Sequence, residues 1–477
     1  MVPNWIEQRA ALTPNRVALT YKEDRWTFLQ LANRSKEYAQ QLKNQGVQTG
    51  DRVAIYGQSS SQLVMVIFAC MQLQVEMVML NLRLSKRELS YQIEDAQVKK
   101  IIVQDELMKQ LPEVDVEFVQ FSTIQQVCEM AVPVNSWRKD STMTIMYTSG
   151  TTSKPKGVRQ TVQNHLASAT SSLYNTGLIE DEAWICTMPI FHISGFSMLC
   201  KSILHGVRID LYEKFDEEKV VAQLIEGSAT RMSVVAVMLE KILSHLEAID
   251  AKVSPRFQLA LAGGGPIPKA YLQRAAALHL KVAQTYGMTE TSSQTATLSN
   301  EDALRKIGSA GKALMFNEIK IEGTSEPFVH GEICIRGDHV TPGYIGQHAH
   351  LPTTVDDWLH TGDVGYLDDE GYLFVADRRS DLIISGGENI YPAEIESVLS
   401  SHEAVEAVGV CGLPDEKWGQ CPAAFVLLKK EVSEDVLRAF CEENLAKYKV
   451  PKTIHFVDEL PRNGAGKMMR RKLHELL

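Results

Sequence analysis

The segment Tyr147-Thr148-Ser149-Gly150-Thr151-Thr152-Ser153-Lys154-Pro155-Lys156-Gly157 constrains this chain more than any other. A strand-like run, Met143-Thr144-Ile145-Met146-Tyr147, leads into a small, hydroxyl-dense loop that ends in two lysines. Small residues let backbone N–H groups approach an anion, hydroxyls donate further hydrogen bonds, and lysines neutralise charge. The combination suits a polyphosphate. It is not a Walker P-loop, which needs G-x-x-x-x-G-K-[ST]; Gly466-Lys467 is followed by Met468 and fails the pattern too. Taken alone, the loop reads equally as a surface turn.

Later segments narrow the choice. They are Ala262-Gly263-Gly264-Gly265-Pro266, Tyr286-Gly287-Met288-Thr289-Glu290, Thr361-Gly362-Asp363, the run Asp377 to Tyr391 (DRRSDLIISGGENIY), and Pro461-Arg462-Asn463-Gly464-Ala465-Gly466-Lys467. With the loop, this set resembles the adenylate-forming superfamily of acyl-CoA synthetases, luciferases and peptide-synthetase adenylation domains. The motifs follow that family's order over nearly the whole chain. The resemblance implies a large N-terminal domain of helix-covered sheets and a small α+β C-terminal domain joined by a hinge.

Bulk properties agree with a soluble α/β enzyme. A chain of 477 residues is too long for one ordinary core. Hydrophobic residues at 44% and charged residues at 23% are normal for a globular protein. A net charge of −10 disfavours nucleic acid as a partner, though not a local basic pocket for ATP or CoA. Met1 to Glu7 has neither a basic region nor an apolar core, so no export signal is expected, and the longest apolar run, Leu63 to Met71, falls short of the about 20 residues that span a bilayer. The eight cysteines form no C-x-x-C pair, which fits reduced thiols in the cytoplasm. His348 and His350 flank an alanine and read as a solvated loop. A homo-oligomer stays open.

Strand and helix signals alternate early. Arg52 to Tyr56 reads as a buried strand; Leu63, Val66, Ile67 and Cys70 follow helix spacing; Val75 to Leu80 and Lys100 to Val103 read as strands. This punctuation argues for an α/β domain. From Gly331-Glu332-Ile333-Cys334-Ile335-Arg336 onward, strand–turn patterns take over. Polar residues Asp377 to Ser380 separate two apolar strands, either a plain turn or the hinge the resemblance implies. The expected division is 1–378 and 379–477.

The resemblance also assigns roles. Thr148, Ser149, Gly150, Thr151, Thr152, Lys154 and Lys156 would hold the β- and γ-phosphates, with Ser153 standing where the family usually has glycine. Glu290 would hold Mg²⁺, since a carboxylate beside phosphates repels them unless a cation intervenes, and Thr289 stands with the catalytic residues. Tyr286 would lie against adenine, with Gly263 and Gly264 allowing close approach of adenine and acyl group. Asp363 would accept from the ribose hydroxyls, and Arg378 would reach the same ribose, or else form a surface salt bridge. Lys467 would bridge the substrate carboxylate and the α-phosphate. Gly386 and Gly387 would line a pantetheine tunnel, and Trp418 would contact CoA or else pack in the core. His192 would guard that tunnel and touch the acyl group, unless it is a structural histidine. ATP, Mg²⁺ and coenzyme A are thus the implied cofactors and co-substrates.

Within the superfamily the likeness is strongest to the o-succinylbenzoate–CoA ligases of menaquinone biosynthesis. It rests on Pro189 to Gly195, Leu261 to Pro266 and Tyr286 to Gln294. The polar run Ser292-Ser293-Gln294 suits an acid with a second carboxylate, and Ser293 is the acyl-binding candidate. Another aryl- or medium-chain acyl-CoA ligase, or an adenylation domain loading a carrier protein, remain alternatives.

Overall fold

The structure is a computed structural model that describes residues 1–126, 129–148, 154–179, 181–264, 267, 269–299, 302–303, 305–377, 381–390, 392–461 and 470–477. Its first sheet runs Gly343–Tyr344, Lys156–Thr161, Thr142–Thr148, Glu76–Met79, Arg52–Tyr56, Lys100–Val103 and Glu117–Gln120. The strands expected at 52–56, 75–80, 100–103 and 143–147 are all here. The helix expected around Leu63 to Cys70 spans Ser61–Gln72, and every residue in it except Gln62 is buried. A helix apolar all round is a core helix, so the i, i+3, i+4 spacing understated its burial.

The second sheet has nine strands. Its centre is parallel: Ala183–Cys186, Arg231–Val234, Leu259–Ala262 and Val282–Tyr286 lie in that spatial order. The loops leaving their carboxyl ends therefore meet along one edge, where open α/β sheets place ligands. Those loops carry His192, Val235, Gly263 with Gly264, and Thr289 with Glu290.

An antiparallel sheet follows, built from Glu318–Ile321, Gly331–Arg336, Thr354–Val355, Trp358–Leu367 and Leu373–Asp377. A last sheet contains Ile383–Ser385, Glu388–Ile390, Val405–Asp415, Gly419–Leu428 and Thr453–Phe456, with helices Pro392–Ser400 and Glu434–Asn444. Ile383, Ile395, Leu399, Val410, Ala424 and Leu437 give it an apolar core of its own. This is the small C-terminal domain.

The small domain meets the large one through charges. Helix Lys86–Ala96 opens with a capping box in which the Ser85 backbone N–H donates to Glu88 Oε2 at 2.8 Å. The other oxygen, Oε1, accepts from Lys449 Nζ at 2.8 Å, and the same ammonium donates to Glu394 Oε1 at 2.8 Å. Lys449 is buried, which lowers its pKa, but Tyr448 and the two carboxylates hold it far above the usual lysine value. Among the described residues no helix is long and apolar enough to cross a membrane.

Candidate active site

The segment expected to hold phosphates is framed by a hairpin. Thr148 closes strand Thr142–Thr148 and pairs with Lys156 on the returning strand. Ser149, Gly150, Thr151 and Thr152 lie outside the described residues, as do Arg378 and Lys467. What frames the loop is described. Lys154 Nζ donates to Gln347 Oε1 at 3.2 Å and stands over the Tyr91 ring; Lys156 stands over the Tyr344 ring. Asp95 anchors both sides, accepting from Tyr147 Oη at 2.7 Å and from the Gln347 N–H at 2.8 Å. Any Cβ at Gly346, where φ is +59°, would sit 2.2 Å from that carboxylate. His348 follows at once and is buried, against the solvated loop expected for it. Burial and the Lys156 charge lower its pKa.

Glu290 lies in the short turn Thr289–Thr291. The Thr341 N–H donates to its carbonyl at 2.7 Å, and Gln160 Nε2 donates to the Thr289 carbonyl at 2.8 Å, so the turn is pinned to the first sheet. Burial raises the Glu290 pKa and the nearby Asp363 raises it further, while Lys156 and Tyr344 oppose them. A carboxylate disfavoured by burial and a like charge, beside the loop expected to hold phosphates, is an oxygen donor that suits a hard divalent cation. The residues present fit Mg²⁺.

Asp363, on strand Trp358–Leu367, is buried and accepts from Tyr286 Oη at 2.8 Å. The phenol thus fixes one carboxylate oxygen while its ring closes strand Val282–Tyr286. Gly287 has no alternative there: a Cβ would fall 1.6 Å from the Ser293 carbonyl. Ser293 itself holds φ +110°, a region non-glycine residues avoid outside ligand sites.

The polar run beside it divides its labour. Gln294 Oε1 accepts from Ser172 Oγ at 2.8 Å and from Lys201 Nζ at 2.7 Å, while its Nε2 donates to Thr285 and Thr297 hydroxyls, both at 3.1 Å. It has no donor left for a ligand. Lys201, beneath it, is fully enclosed, and burial pushes its ammonium down to about 7. Ser293 is half-buried.

The glycines expected beside the acyl group and those expected beside the thiol meet at a side chain that sequence reasoning missed. Val235 follows strand Arg231–Val234; a Cβ at Gly264 would come within 3.3 Å of Val235 Cγ1, and one at Gly387 within 3.2 Å. Gly263 lies beside, its N–H donating to the Val234 carbonyl at 3.1 Å. Gly386 and Gly387 have φ of +56° and +87°. The Trp418 indole covers Gly386, 2.6 Å from where a Cβ would be, and is 43% exposed, so it is not core.

His192 precedes helix Ile193–Lys201, whose approach requires Gly195: a Cβ there would meet the Pro189 carbonyl at 2.3 Å. Its Nε2 faces Glu388 Oε2 at 3.6 Å, and Glu388 Oε1 accepts from Arg83 Nη1 at 2.6 Å. Burial would raise the Glu388 pKa, but His192, Arg83 and Lys449 bring it below the usual value. Neither Arg83 nor Val235 carries a motif signal.

This hairpin, sheet edge and glycine loop coincide with family matches. The model of the AMP-binding enzymes matches residues 6–345, and that of the AMP-binding enzyme C-terminal domain matches 394–467. The chain belongs to the AMP-binding enzymes. Among its relatives is the 2-succinylbenzoate–CoA ligase of Bacillus pumilus, 44% identical over 99% of this chain and 97% of that one. Two solved structures are of the o-succinylbenzoate CoA synthetase of Bacillus subtilis. A double mutant bound with the product analogue OSB-NCoA has a TM-score of 0.95 at 43% identity, covering 99% of this chain and 98% of that one. The enzyme in complex with ATP and magnesium ion has a TM-score of 0.76 at 42% identity, covering 99% of both. Identity and coverage hardly differ between them, so the gap lies in how the parts are arranged. This chain has the arrangement of the product-analogue complex.

Proposed function

We propose that this protein activates o-succinylbenzoate with ATP and passes the acyl group to coenzyme A, releasing pyrophosphate and AMP. The observation that carries the reading is the convergence on Val235, which brings the acyl-side Gly264 and the small-domain Gly387 against one side chain. A thiol entering along Gly386 and Gly387 reaches the acyl site only if those two surfaces are adjacent.

In the first step the substrate carboxylate attacks the α-phosphorus of ATP and pyrophosphate leaves, giving an acyl-adenylate. Two anions must be held at bonding distance, so positioning and charge neutralisation dominate. Lys154 and Lys156, with the hydroxyls of 148–152, take the β- and γ-phosphates. Lys467 bridges carboxylate and α-phosphate by resemblance. Asp363, aligned by Tyr286, holds the ribose with Arg378, and Mg²⁺ at Glu290 neutralises phosphate charge when bound. In the second step the CoA thiolate attacks the acyl carbon and AMP leaves. His192 and Glu388 stand beside Gly387, where that thiol arrives, and Trp418 flanks its path.

We place the domain boundary at 378/379, and assign the acid's second carboxylate to the Ser293 side of the pocket. The scattered free thiols among the described residues suit a cytoplasmic location. The reading of the acid as o-succinylbenzoate rests on the likeness to the 2-succinylbenzoate–CoA ligases along the whole chain.

The test is acid-dependent ATP–pyrophosphate exchange across o-succinylbenzoate, benzoate, cinnamate and octanoate, with CoA products identified by mass spectrometry. Exchange and thioester with o-succinylbenzoate alone are expected. Strong exchange with another acid would replace the substrate, and silence with all four would remove the catalytic reading.

A further inference from the structure

One face of the antiparallel sheet gathers side chains that the reaction does not use. Strand Gly331–Arg336 pairs on one side with Glu318–Ile321, setting Cys334 opposite Lys320, and on the other with Trp358–Leu367, setting Cys334 opposite His360. The Glu322 N–H donates to the Glu332 carbonyl at 2.8 Å, which carries the Glu322 carboxylate back over the same face. Cys334 Sγ lies 3.6 Å from His360 Nδ1 and 3.6 Å from Glu322 Oε2. All three ligand atoms fall within 4.8 Å of one another.

Those separations have a specific meaning. A tetrahedral ion with metal–sulfur bonds of about 2.3 Å and metal–nitrogen or metal–oxygen bonds of about 2.0 Å requires sulfur-to-partner edges of about 3.5 Å. We propose that Glu322, Cys334 and His360 form a binding site for a divalent transition metal of the zinc type. It is chemically distinct from the magnesium position at Glu290, because thiolate and imidazole select softer ions than Mg²⁺.

The surroundings favour such an ion. Glu332 Oε2 lies 3.1 Å from His360 Nδ1, a contact that an ion on Nδ1 replaces, and its other oxygen accepts from the Gly362 N–H at 2.7 Å. Lys320 Nζ donates to Glu322 Oε2 at 2.9 Å and stands 4.9 Å from the Trp358 ring centroid, so it can release the carboxylate and keep the ring. A thiolate, two carboxylates, a neutral imidazole, Lys320 and a dication sum to zero charge. A thiol ligand gives up its proton to solvent when it takes the ion, so metal uptake strengthens with pH. The ion would tie three strands together, the last of which carries Asp363.

The test uses the full tag-free chain, stripped with chelator and titrated with Co²⁺ at neutral pH without thiol reductant. One equivalent should produce a near-ultraviolet sulfur-to-cobalt charge-transfer band with tetrahedral visible bands. Cys334→Ser should abolish the charge-transfer band, and His360→Gln should weaken binding by at least about tenfold. ATP–pyrophosphate exchange in the stripped parent and both variants reports that they are folded. Absence of the band in the parent, or an equal band in Cys334→Ser, overturns the site. Should Cys334→Ser not fold, unaltered Co²⁺ affinity in both His360→Gln and Glu322→Gln overturns it instead.

Discussion

The imidazole of His192, on the large domain, faces the carboxylate of Glu388, on the small one, with Nε2 and Oε2 3.6 Å apart. The two are brought together by the domain arrangement alone, and Arg83 shares the same carboxylate. The pair stands just beyond hydrogen-bond length, and closing it to a hydrogen bond with the carboxylate would be worth about 1.5 kcal/mol, roughly tenfold in rate. Glu388→Gln should therefore slow thioester formation about tenfold while leaving ATP–pyrophosphate exchange within about twofold. Equal losses in both half-reactions, measured separately by rapid quench, would sink the assignment.

Gly387 has φ +87°, and a Cβ there would already press on Val235 at 3.2 Å. An indole at this position fills the junction of the acyl site and the thiol path. Gly387→Trp should retain exchange and lose CoA thioester by at least about a hundredfold, about 2.7 kcal/mol at the barrier. Undiminished thioester output would remove the tunnel from this place.

Tyr286 Oη donates to Asp363 at 2.8 Å. Without the phenol, the carboxylate loses alignment toward the ribose but keeps its charge. For Tyr286→Phe the KM for ATP should rise about five- to tenfold with little change in kcat, the cost of one hydrogen bond to a charged acceptor. An unchanged KM would mean that the carboxylate needs no such support.

Three imidazoles are buried and held neutral by that burial: His165 is pushed down to about 3, and His205 and His339 to about 4. In the unfolded chain they take protons near their ordinary value of 6.5. Between pH 6.5 and 4 the unfolded chain thus binds more protons, so stability is present above this window and is lost as pH falls through it. Each group contributes a slope of up to about 1.4 kcal/mol per pH unit. Urea midpoints should fall between pH 7 and pH 5, and His165→Gln should flatten the dependence by about one third. A level profile for the parent would contradict the buried neutral forms.

Motif reading picks out the segments that are local in sequence. The hairpin that sets Thr148 opposite Lys156, the glycines after strand Leu259–Ala262, and the turn holding Glu290 each carry a signature within a few residues, because tight turns and close ligand approach demand particular side chains. What spacing could not reveal is long-range. Arg83 reaches Glu388 across 305 positions, and Lys449 reaches Glu88 across 361. Val235 sits in an ordinary apolar run and matters only because two glycines from different sheets approach it. Gln294 misled for the opposite reason: its polarity suggested a ligand contact, whereas Ser172, Lys201, Thr285 and Thr297 consume its whole amide.

The Lys449 ammonium, enclosed by Glu88 and Glu394, sets how firmly the small domain can be parked. An apolar plug of that size would gain free energy from contact alone and weld the two bodies in one pose. Buried ions instead recover in mutual attraction roughly what they forfeit in hydration, so swinging apart and letting water back costs little. Geometry is nonetheless strict, because an ammonium between two carboxylates tolerates few positions. The trio behaves as a mechanical detent: strict in geometry and weak in net attraction, it fixes where the small domain stops without welding it there.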